Sequence, residues 1–192
     1  MIRTGIFGGS FNPIHKAHIA LAENILHTGM VDEVWLLVSP QNPFKKDLHL
    51  IDDTVRLEMA RKAVEGHSKL KVSDFEFRLP RPSYMYHTLE ELQKAYPKHE
   101  FSLIIGADNW INFDKWFRAD DILKHHDILI YPRKDFEIQP AQLPEHVHLM
   151  ENQEIFPVSA TEVREKLQQG EDISKWVDTK VEKILKQNHP LS

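Results

Sequence analysis

The sequence predicts an α/β protein with a Rossmann-like, doubly wound, mainly parallel sheet and helices on both faces. Two observations carry this prediction. Short apolar, β-branched runs alternate along the chain with longer helical patterns, the order expected for parallel strands joined by crossover helices. Several of these runs, VWLLV and FSLIIG especially, are apolar on both faces, as strands buried between two helical layers are.

The elements follow one another without a break that would divide the chain. The predicted strands are Ile2–Phe7, Val34–Val38, Leu70–Phe75, Phe101–Ile105, Ile128–Tyr131 and Val147–Met150. The predicted helices are Pro13–His27, Thr54–Val64, Met85–Tyr96 and the shorter Ala119–Lys124. We expect one domain over residues 1–192, with a C-terminal helical segment of two or three helices from about residue 157.

Composition narrows the class of protein. The formal net charge is −5, which argues against a general nucleic-acid binder but leaves room for small anionic ligands held by a few local groups. The chain has no cysteine, which excludes disulfides and thiolate metal sites and fits the cytoplasm, the location that we expect. No run approaches the roughly 18 to 20 apolar residues that a membrane span needs, so we expect no membrane partner.

The stretch GIFGGSFNPIHKAHIA, residues 5–20, follows the first strand with the glycine pair Gly8 and Gly9 and then a helix. Asn12 suits the N-cap of that helix and the next residue, a proline, suits its first position. A strand, a glycine turn and a capped helix expose free backbone N–H groups, which favour phosphate. His15 and His18, three residues apart, share one face and can donate hydrogen bonds to phosphate oxygens. A tight turn followed by two surface histidines would give the same pattern.

This stretch is neither the dinucleotide fingerprint nor the Walker loop. GGSFNPIHKAH instead resembles the signature G-G-[ST]-F-[DN]-P-x-H-x-[GA]-H of nicotinate or nicotinamide mononucleotide adenylyltransferases, members of the nucleotidylyltransferase superfamily. Asn12 stands where that family more often has Asp, and Ala17 where it usually has Gly.

A second match lies near the carboxyl end, in PVSATEVREKLQQG. Ser159 and Glu162 form a capping box and Gly170 suits the C-terminal stop, so helix structure alone explains these three residues. Thr161 and Arg164 share a face one turn inside the helix, and the segment resembles the family element I-S-x-T-x-x-R that contacts the ATP phosphates. The ATP-binding residues that the resemblance implies are Gly8, Gly9, Ser10, Phe11, His15, His18, Ser159, Thr161 and Arg164.

Other stretches that follow strands resemble the family's mononucleotide side. Lys45 is nearest to the family's lysine, with Lys46 one residue away as the alternative register. The family pattern G-x-D-x-x-x-x-x-x-x-W matches Gly106, Asp108 and Trp116, whose ring would stack on the pyridine. The mononucleotide-binding residues so implied are Lys45, Ser83, Tyr84, Thr88, Gly106, Asp108, Trp116 and Arg133. RPSYMYHTLEEL departs from the family's S-Y-T-x-D-T-L, with Met85 for Thr and His87 for Asp.

The resemblance implies transfer of the adenylyl group of ATP to nicotinate mononucleotide, giving deamido-NAD and pyrophosphate in NAD biosynthesis. The expected catalytic residues are His18 on the α-phosphate, His15 positioning the phosphates, and Arg164 and Lys45 on the leaving pyrophosphate. Mg²⁺ is expected to arrive with ATP, without a metal site built by the protein. Three points stay open: an adenylyltransferase of the phosphopantetheine type, a nucleotide sensor without turnover, and the choice between nicotinate and nicotinamide mononucleotide. Homo-oligomer formation is open as well.

Overall fold

The computed structural model describes residues 1–41, 50–150 and 159–188. Within these ranges, six strands form one sheet, all paired in parallel, in the order β3-β2-β1-β4-β5-β6. Their bounds are β1 Ile2–Gly9, β2 Glu33–Val38, β3 Leu70–Ser73, β4 His99–Gly106, β5 Ile128–Tyr131 and β6 Val147–Leu149. The order runs outward from β1 in both directions, which confirms the predicted doubly wound class.

Seven α-helices accompany the sheet in the described ranges: α1 Lys16–His27, α2 Asp53–Ala63, α3 Met85–Ala95, α4 Ala107–Trp110, α5 Ala119–His125, α6 Ala160–Gln168 and α7 Thr179–Asn188. Short 3₁₀ turns cover Phe75–Arg78, Phe113–Lys115 and Pro140–Gln142. Among these helices, none is both long enough and apolar enough to cross a bilayer.

Alternate residues of the central strands enter two separate cores. Phe7 of β1 and Leu36 of β2 belong to a core shared with α1, α2, α6 and α7 on one face of the sheet. Ile6 and Leu37, their chain neighbours, belong to a second core shared with α3 and α5 on the other face. Because successive side chains of a strand point to opposite faces, strands apolar throughout require helices on both sides.

Several element boundaries differ from the prediction, most of them by one or two residues. β1 continues through Gly8 and Gly9, which the sequence analysis placed in a turn after the strand, because both glycines pair with β2. The first helix begins at Lys16 with His15 as N-cap, not at Pro13 with Asn12 as N-cap. The side chain of Asn12 is committed elsewhere, because its Oδ1 accepts the backbone N–H of Ile51 at 3.0 Å. The third strand ends at Ser73, and Phe75 begins a 3₁₀ turn instead of continuing the strand.

The strand order reverses between β1 and β4. Loops that leave the carboxyl ends of these two strands turn to opposite sides, so a crevice opens between them. The glycine pair forms the carboxyl end of β1, and Asp108 lies just after the carboxyl end of β4. The fold therefore places the two stretches that the sequence singled out at the same edge of the sheet.

Candidate active site

A cavity of about 330 Å³, here called the histidine cavity, lies at this crevice. It brings together the loop after β1, the start of α1, the loop after β5 and the beginning of α6. Its walls are formed by Phe7, Gly8, Gly9, Ser10, Phe11, Asn12, His15, Ala17, His18, Leu21, Asn109, Tyr131, Pro132, Arg133, Ser159 and Ala160. Seven of the nine implied ATP-binding residues are among them.

The two histidines are in direct contact. Their rings stack with centroids 3.7 Å apart, and the ring of Phe11 packs edge-on against His18 at 5.1 Å. The backbone N–H of His15 donates to Nδ1 of His18 at 3.1 Å. Because Nδ1 accepts this bond, the proton of the neutral His18 ring resides on Nε2. His18 is therefore held as a hydrogen-bond donor through Nε2.

Both imidazoles are neutral at physiological pH in the free protein. The pKa of His15 is lowered to about 4, first by burial and then by the charge of Arg133, against a smaller opposite effect of Glu162. The pKa of His18 is lowered well below its ordinary value by burial first, and then by His15 and Arg133. A bound polyphosphate would act in the opposite direction, because a nearby negative charge favours the imidazolium.

The beginning of α6 faces the beginning of α1. Ser159 accepts the backbone N–H of Glu162 at 3.2 Å, and Glu162 accepts that of Ser159 at 2.6 Å, which is the predicted capping box. Arg164 donates from Nη1 to the carbonyl of Asn12 at 2.7 Å and from Nη2 to Oγ1 of Thr161 at 3.2 Å. Ser159 lines the histidine cavity, whereas Thr161 and Arg164 are not among its lining residues. Arg164 joins the two helix beginnings.

A phosphate at this point would meet the N-termini of two helices. The first N–H groups of a helix have no acceptor within the helix, and the helix dipole adds positive potential there. Two such helix beginnings around one cavity suit an extended anion better than one. Arg133, which lines the same cavity, adds a full positive charge.

Arg133 and Asp108 form an ion pair at the rim of the histidine cavity. Nε of Arg133 lies 3.5 Å from Oδ1 of Asp108, and its guanidinium lies over the ring of Tyr131. Oδ1 of Asp108 is buried and accepts no hydrogen bond within the described residues, so it can accept one from a ligand hydroxyl. A Cβ on Gly106 would come within 2.3 Å of that oxygen, which explains the glycine. The sequence analysis grouped Arg133 with the mononucleotide; in the structure it lines the same cavity as the two histidines.

A second cavity, of about 470 Å³ and here called the Trp116 cavity, lies beside α3. Its walls are formed by Ser39, Pro40, Gln41, Glu76, Arg81, Pro82, Ser83, Tyr84, Met85, Lys115, Trp116 and Phe117. Three of the implied mononucleotide residues, Ser83, Tyr84 and Trp116, are among them. The Trp116 ring is partly buried against Phe113, with ring centroids 5.1 Å apart. This contact restricts the orientation of the Trp116 ring.

Thr88 does not line the Trp116 cavity. Its side chain is fully buried on α3, and its hydroxyl donates to Oε1 of Glu76 at 2.8 Å. Glu76 itself lines the cavity and is only 3% exposed. Burial raises the pKa of Glu76, against the hydrogen bonds that it receives from Thr88, Ser39 and Ser83. Thr88 therefore acts on the cavity indirectly, through the hydrogen bond that it donates to Glu76.

Sequence reasoning missed several residues of both cavities. Asn109 and Tyr131 on the histidine cavity sit next to or within segments that the sequence had marked, one after Asp108 and one at the end of β5. Glu76 on the Trp116 cavity comes from the turn after β3, a strand end that the sequence analysis did not search. Arg81 begins the segment RPSYMYHTLEEL, from which the sequence analysis selected only Ser83, Tyr84 and Thr88. Lys45 and Lys46 lie outside the described residues. Within the described ranges, no group of three or more His, Asp or Glu side chains is placed to hold a metal ion.

Comparison with known proteins bears on this site. A family model described as cytidylyltransferase-like matches residues 6–166. A probable nicotinate-nucleotide adenylyltransferase of Bacteroides fragilis (strain YCH46) is 50% identical over 171 residues, which are 89% of this chain and 85% of that protein. A protein of the same description from Bacteroides thetaiotaomicron is 46% identical over 180 residues, 94% of this chain and 89% of the relative.

A solved structure adds the likeness of the fold. Plasmodium falciparum nicotinic acid mononucleotide adenylyltransferase complexed with NaAD superposes with a TM-score of 0.80 at 20% identity, covering 97% of this chain and 96% of that one. The family model spans the glycine loop, both histidines and Arg164, so the match includes the residues that join the two helix beginnings. The chain therefore belongs to the cytidylyltransferase-like family and, within it, to the nicotinate-nucleotide adenylyltransferases.

Proposed function

We propose that this protein transfers the adenylyl group of ATP to nicotinate mononucleotide, giving deamido-NAD and pyrophosphate in NAD biosynthesis. Membership of the family supports the reaction. The observation on this chain that carries it is the convergence of two helix beginnings on the histidine cavity, joined by the bond from Arg164 to the Asn12 carbonyl. The cytoplasm remains the expected location.

The nucleophile in this reaction comes from the substrate. A phosphate oxygen of the mononucleotide attacks the α-phosphorus of ATP; a new P–O bond forms, the bond to the bridging oxygen breaks, and pyrophosphate leaves with that electron pair. The attacking phosphate is already ionised near neutral pH, because its second pKa is about 6. The protein must align the reacting atoms and supply donors to the charge that builds up.

His18 is assigned to the α-phosphate. Its Nδ1 is occupied by the N–H of His15, so Nε2 is the atom left to donate. The ring is held by the stacked His15 and by Phe11, which limits the reorganisation needed at the moment of reaction. His15 positions the phosphates from the N-cap of α1.

Arg164 and Lys45 are assigned to the leaving pyrophosphate. A guanidinium has five N–H donors, so Arg164 retains donors for phosphate beyond its bonds to Asn12 and Thr161. Arg133, on the same cavity, adds charge that attracts the triphosphate. The role of Lys45 rests on the resemblance of its loop alone.

The Trp116 cavity is assigned to the mononucleotide. The Trp116 face offers a flat surface for the pyridine ring, with Phe113 behind it. Ser83 and Tyr84, which line this cavity, supply hydroxyls. Asp108, which pairs with Arg133, has a buried oxygen that can accept a hydrogen bond from a ribose hydroxyl.

Members of this family generally use a divalent metal with ATP. We propose Mg²⁺, carried into the site by the triphosphate as part of the substrate. Mg²⁺ keeps several waters and binds phosphate oxygens readily, so it does not require a cage of protein carboxylates.

The test is pyrophosphate release by the purified protein with ATP and Mg²⁺, with nicotinate mononucleotide, nicotinamide mononucleotide and phosphopantetheine supplied in turn. We expect release with nicotinate mononucleotide and a product with the mass of deamido-NAD. Turnover with phosphopantetheine alone would assign the protein to the other adenylyltransferase class. ATP binding without release in any mixture would support a sensor and contradict the proposal.

A further inference from the structure

The side chain of Arg56 is fully buried, although it carries a charge. It lies in the first turn of α2 and is among the largest side chains completely removed from solvent. A charge in such a place is costly unless every donor finds a partner. The hydrogen-bond partners of Arg56 therefore indicate its role.

The guanidinium joins segments that end at both cavities. Its Nη1 donates to the carbonyl of Ser10 and, at 2.9 Å, to the carbonyl of Ser39. Ser10 follows β1 and lines the histidine cavity, whereas Ser39 follows β2 and lines the Trp116 cavity. The two strands are neighbours in the sheet, with Gly9 opposite Val38. A single nitrogen thus connects the first loop residues of both substrate sites.

The remaining donors of Arg56 hold it in place. Nε donates to the carbonyl of Ile51 at 2.9 Å, and Nη2 donates to Oδ1 of Asp53 at 2.6 Å. The same Asp53 oxygen accepts the backbone N–H of Gln41 at 3.1 Å, and its other oxygen lies 3.6 Å from Nη2 of Arg81. Gln41 and Arg81 both line the Trp116 cavity. Asp53 therefore extends the connection from Arg56 to a second part of that wall.

Only a planar, multidonor cation fits this arrangement. The carbonyls of Ser10 and Ser39 lie beyond the ladder of the sheet and need donors when buried. The ammonium of lysine has three donors around one point and cannot reproduce the fork that reaches Ser39, Ser10 and Asp53 together.

We infer that Arg56 is a positioning residue that sets the separation of the two substrate cavities, and with it the alignment of the attacking phosphate with the α-phosphorus. This inference rests on the proposed adenylyl transfer. Each substrate touches its own wall, so each should still bind alone when Arg56 is changed. Only the reaction between them depends on the relative placement of the walls.

The experiment compares Arg56→Lys with Arg61→Lys, a change of the same kind on an exposed arginine of α2 that pairs with Asp74. Binding of ATP and of nicotinate mononucleotide is measured separately by calorimetry, and kcat is measured at saturation and corrected for the folded fraction. For Arg56→Lys we expect each Kd within about twofold of the wild type and kcat lower by about tenfold or more, the size that misalignment produces. Arg61→Lys should match the wild type in every measurement.

Asp53→Asn provides the same test if Arg56→Lys does not fold. It weakens the clamp on Nη2 and on the Gln41 N–H, and the same loss of kcat with retained single-substrate binding is expected. An unchanged kcat per folded molecule would overturn the inference, and so would a loss of both affinities in proportion to kcat. If the wild type itself releases no pyrophosphate, the proposed function fails, which is a separate and visible result.

Discussion

At the scale of the residue, the hydrogen bond between the two histidines decides the chemistry of the site. A neutral imidazole has one donor nitrogen and one acceptor nitrogen. The N–H of His15 uses the acceptor of His18, which leaves Nε2 as donor toward the substrate. The spacing of three residues in the sequence is what puts the N-cap backbone and the imidazole of the first turn within reach.

His18→Ala should lower kcat by more than tenfold while the Kd for ATP changes little. The reason is that the donor to the α-phosphate acts on charge that develops in the transition state, not on the bound ground state. Steady-state kinetics with ATP and nicotinate mononucleotide, together with calorimetry of ATP binding, give both quantities. His125→Ala, at an exposed position of α5, is the control. An unchanged kcat would remove His18 from the mechanism.

At the scale of the element, the site depends on how two helices begin. α1 begins with a histidine pair in place of a serine or aspartate cap, and α6 begins with a regular capping box. Neither helix is held at its start by its own cap alone, because Arg164 connects α6 to the loop that leads into α1. A change at either start is therefore expected to reach the other through this contact.

Ser159→Ala should lower the free energy of unfolding by about 1 kcal/mol, the usual cost of a lost N-cap, and raise the KM for ATP. The increase in KM follows because the first turn of α6 frays at the wall of the histidine cavity. Chemical denaturation and initial rates measure the two effects. Asp178→Ala removes the side chain that accepts the N–H of Lys180 at the start of α7. It should destabilise the fold to a similar extent with the KM for ATP unchanged; an equal rise in KM in both variants would show that general destabilisation is the cause.

At the scale of the whole molecule, the candidate site lies where the two halves of the sheet diverge. The polar groups buried there lower the stability of the folded protein. Two imidazoles are buried against each other and beside an arginine, an arrangement that serves an anionic substrate better than the empty protein. Polar groups at functional sites often reduce stability in this way.

The free energy of unfolding should fall as the pH drops from about 6.5 toward 4, by up to about 1.4 kcal/mol per pH unit for His15. The unfolded chain takes up a proton at His15 below its ordinary pKa, whereas the folded protein keeps this ring neutral until its pKa of about 4. The contribution of His15 to the free energy of unfolding is thus complete above the pKa of the unfolded chain. It decreases as the pH falls toward the folded-state pKa of about 4. Urea denaturation across this range measures the slope, and His15→Gln should make it less steep. Equal slopes in the two proteins would contradict the prediction.

Saturating ATP should change the same pH dependence of the free energy of unfolding. A triphosphate beside the imidazoles favours their protonated form, so the slope for the wild type should also become less steep when ATP is bound. The free protein at the same pH is the reference for this comparison.

The sequence by itself determined the α/β class, the approximate positions of the six strands and of the helices other than the short α4, and the two helix beginnings that carry the candidate site. These features are encoded by near neighbours: alternation of apolar runs, a capping box at Ser159, a left-handed glycine at Gly170. The family resemblance of GGSFNPIHKAH and of the segment around Arg164 has the same local character.

Only the tertiary structure decided which residues meet. The Asn12 side chain accepts the N–H of Ile51 and does not cap the helix after it, and Thr88 donates to the buried Glu76. A Cβ on Gly5 would lie 2.6 Å from Cδ1 of Ile104 on the neighbouring strand. The bond from Arg164 to Asn12 joins residues 152 apart, and Arg56 connects two loops that the sheet places side by side. Such contacts depend on how strands and helices pack, and packing is a property of the assembled chain that no local pattern contains.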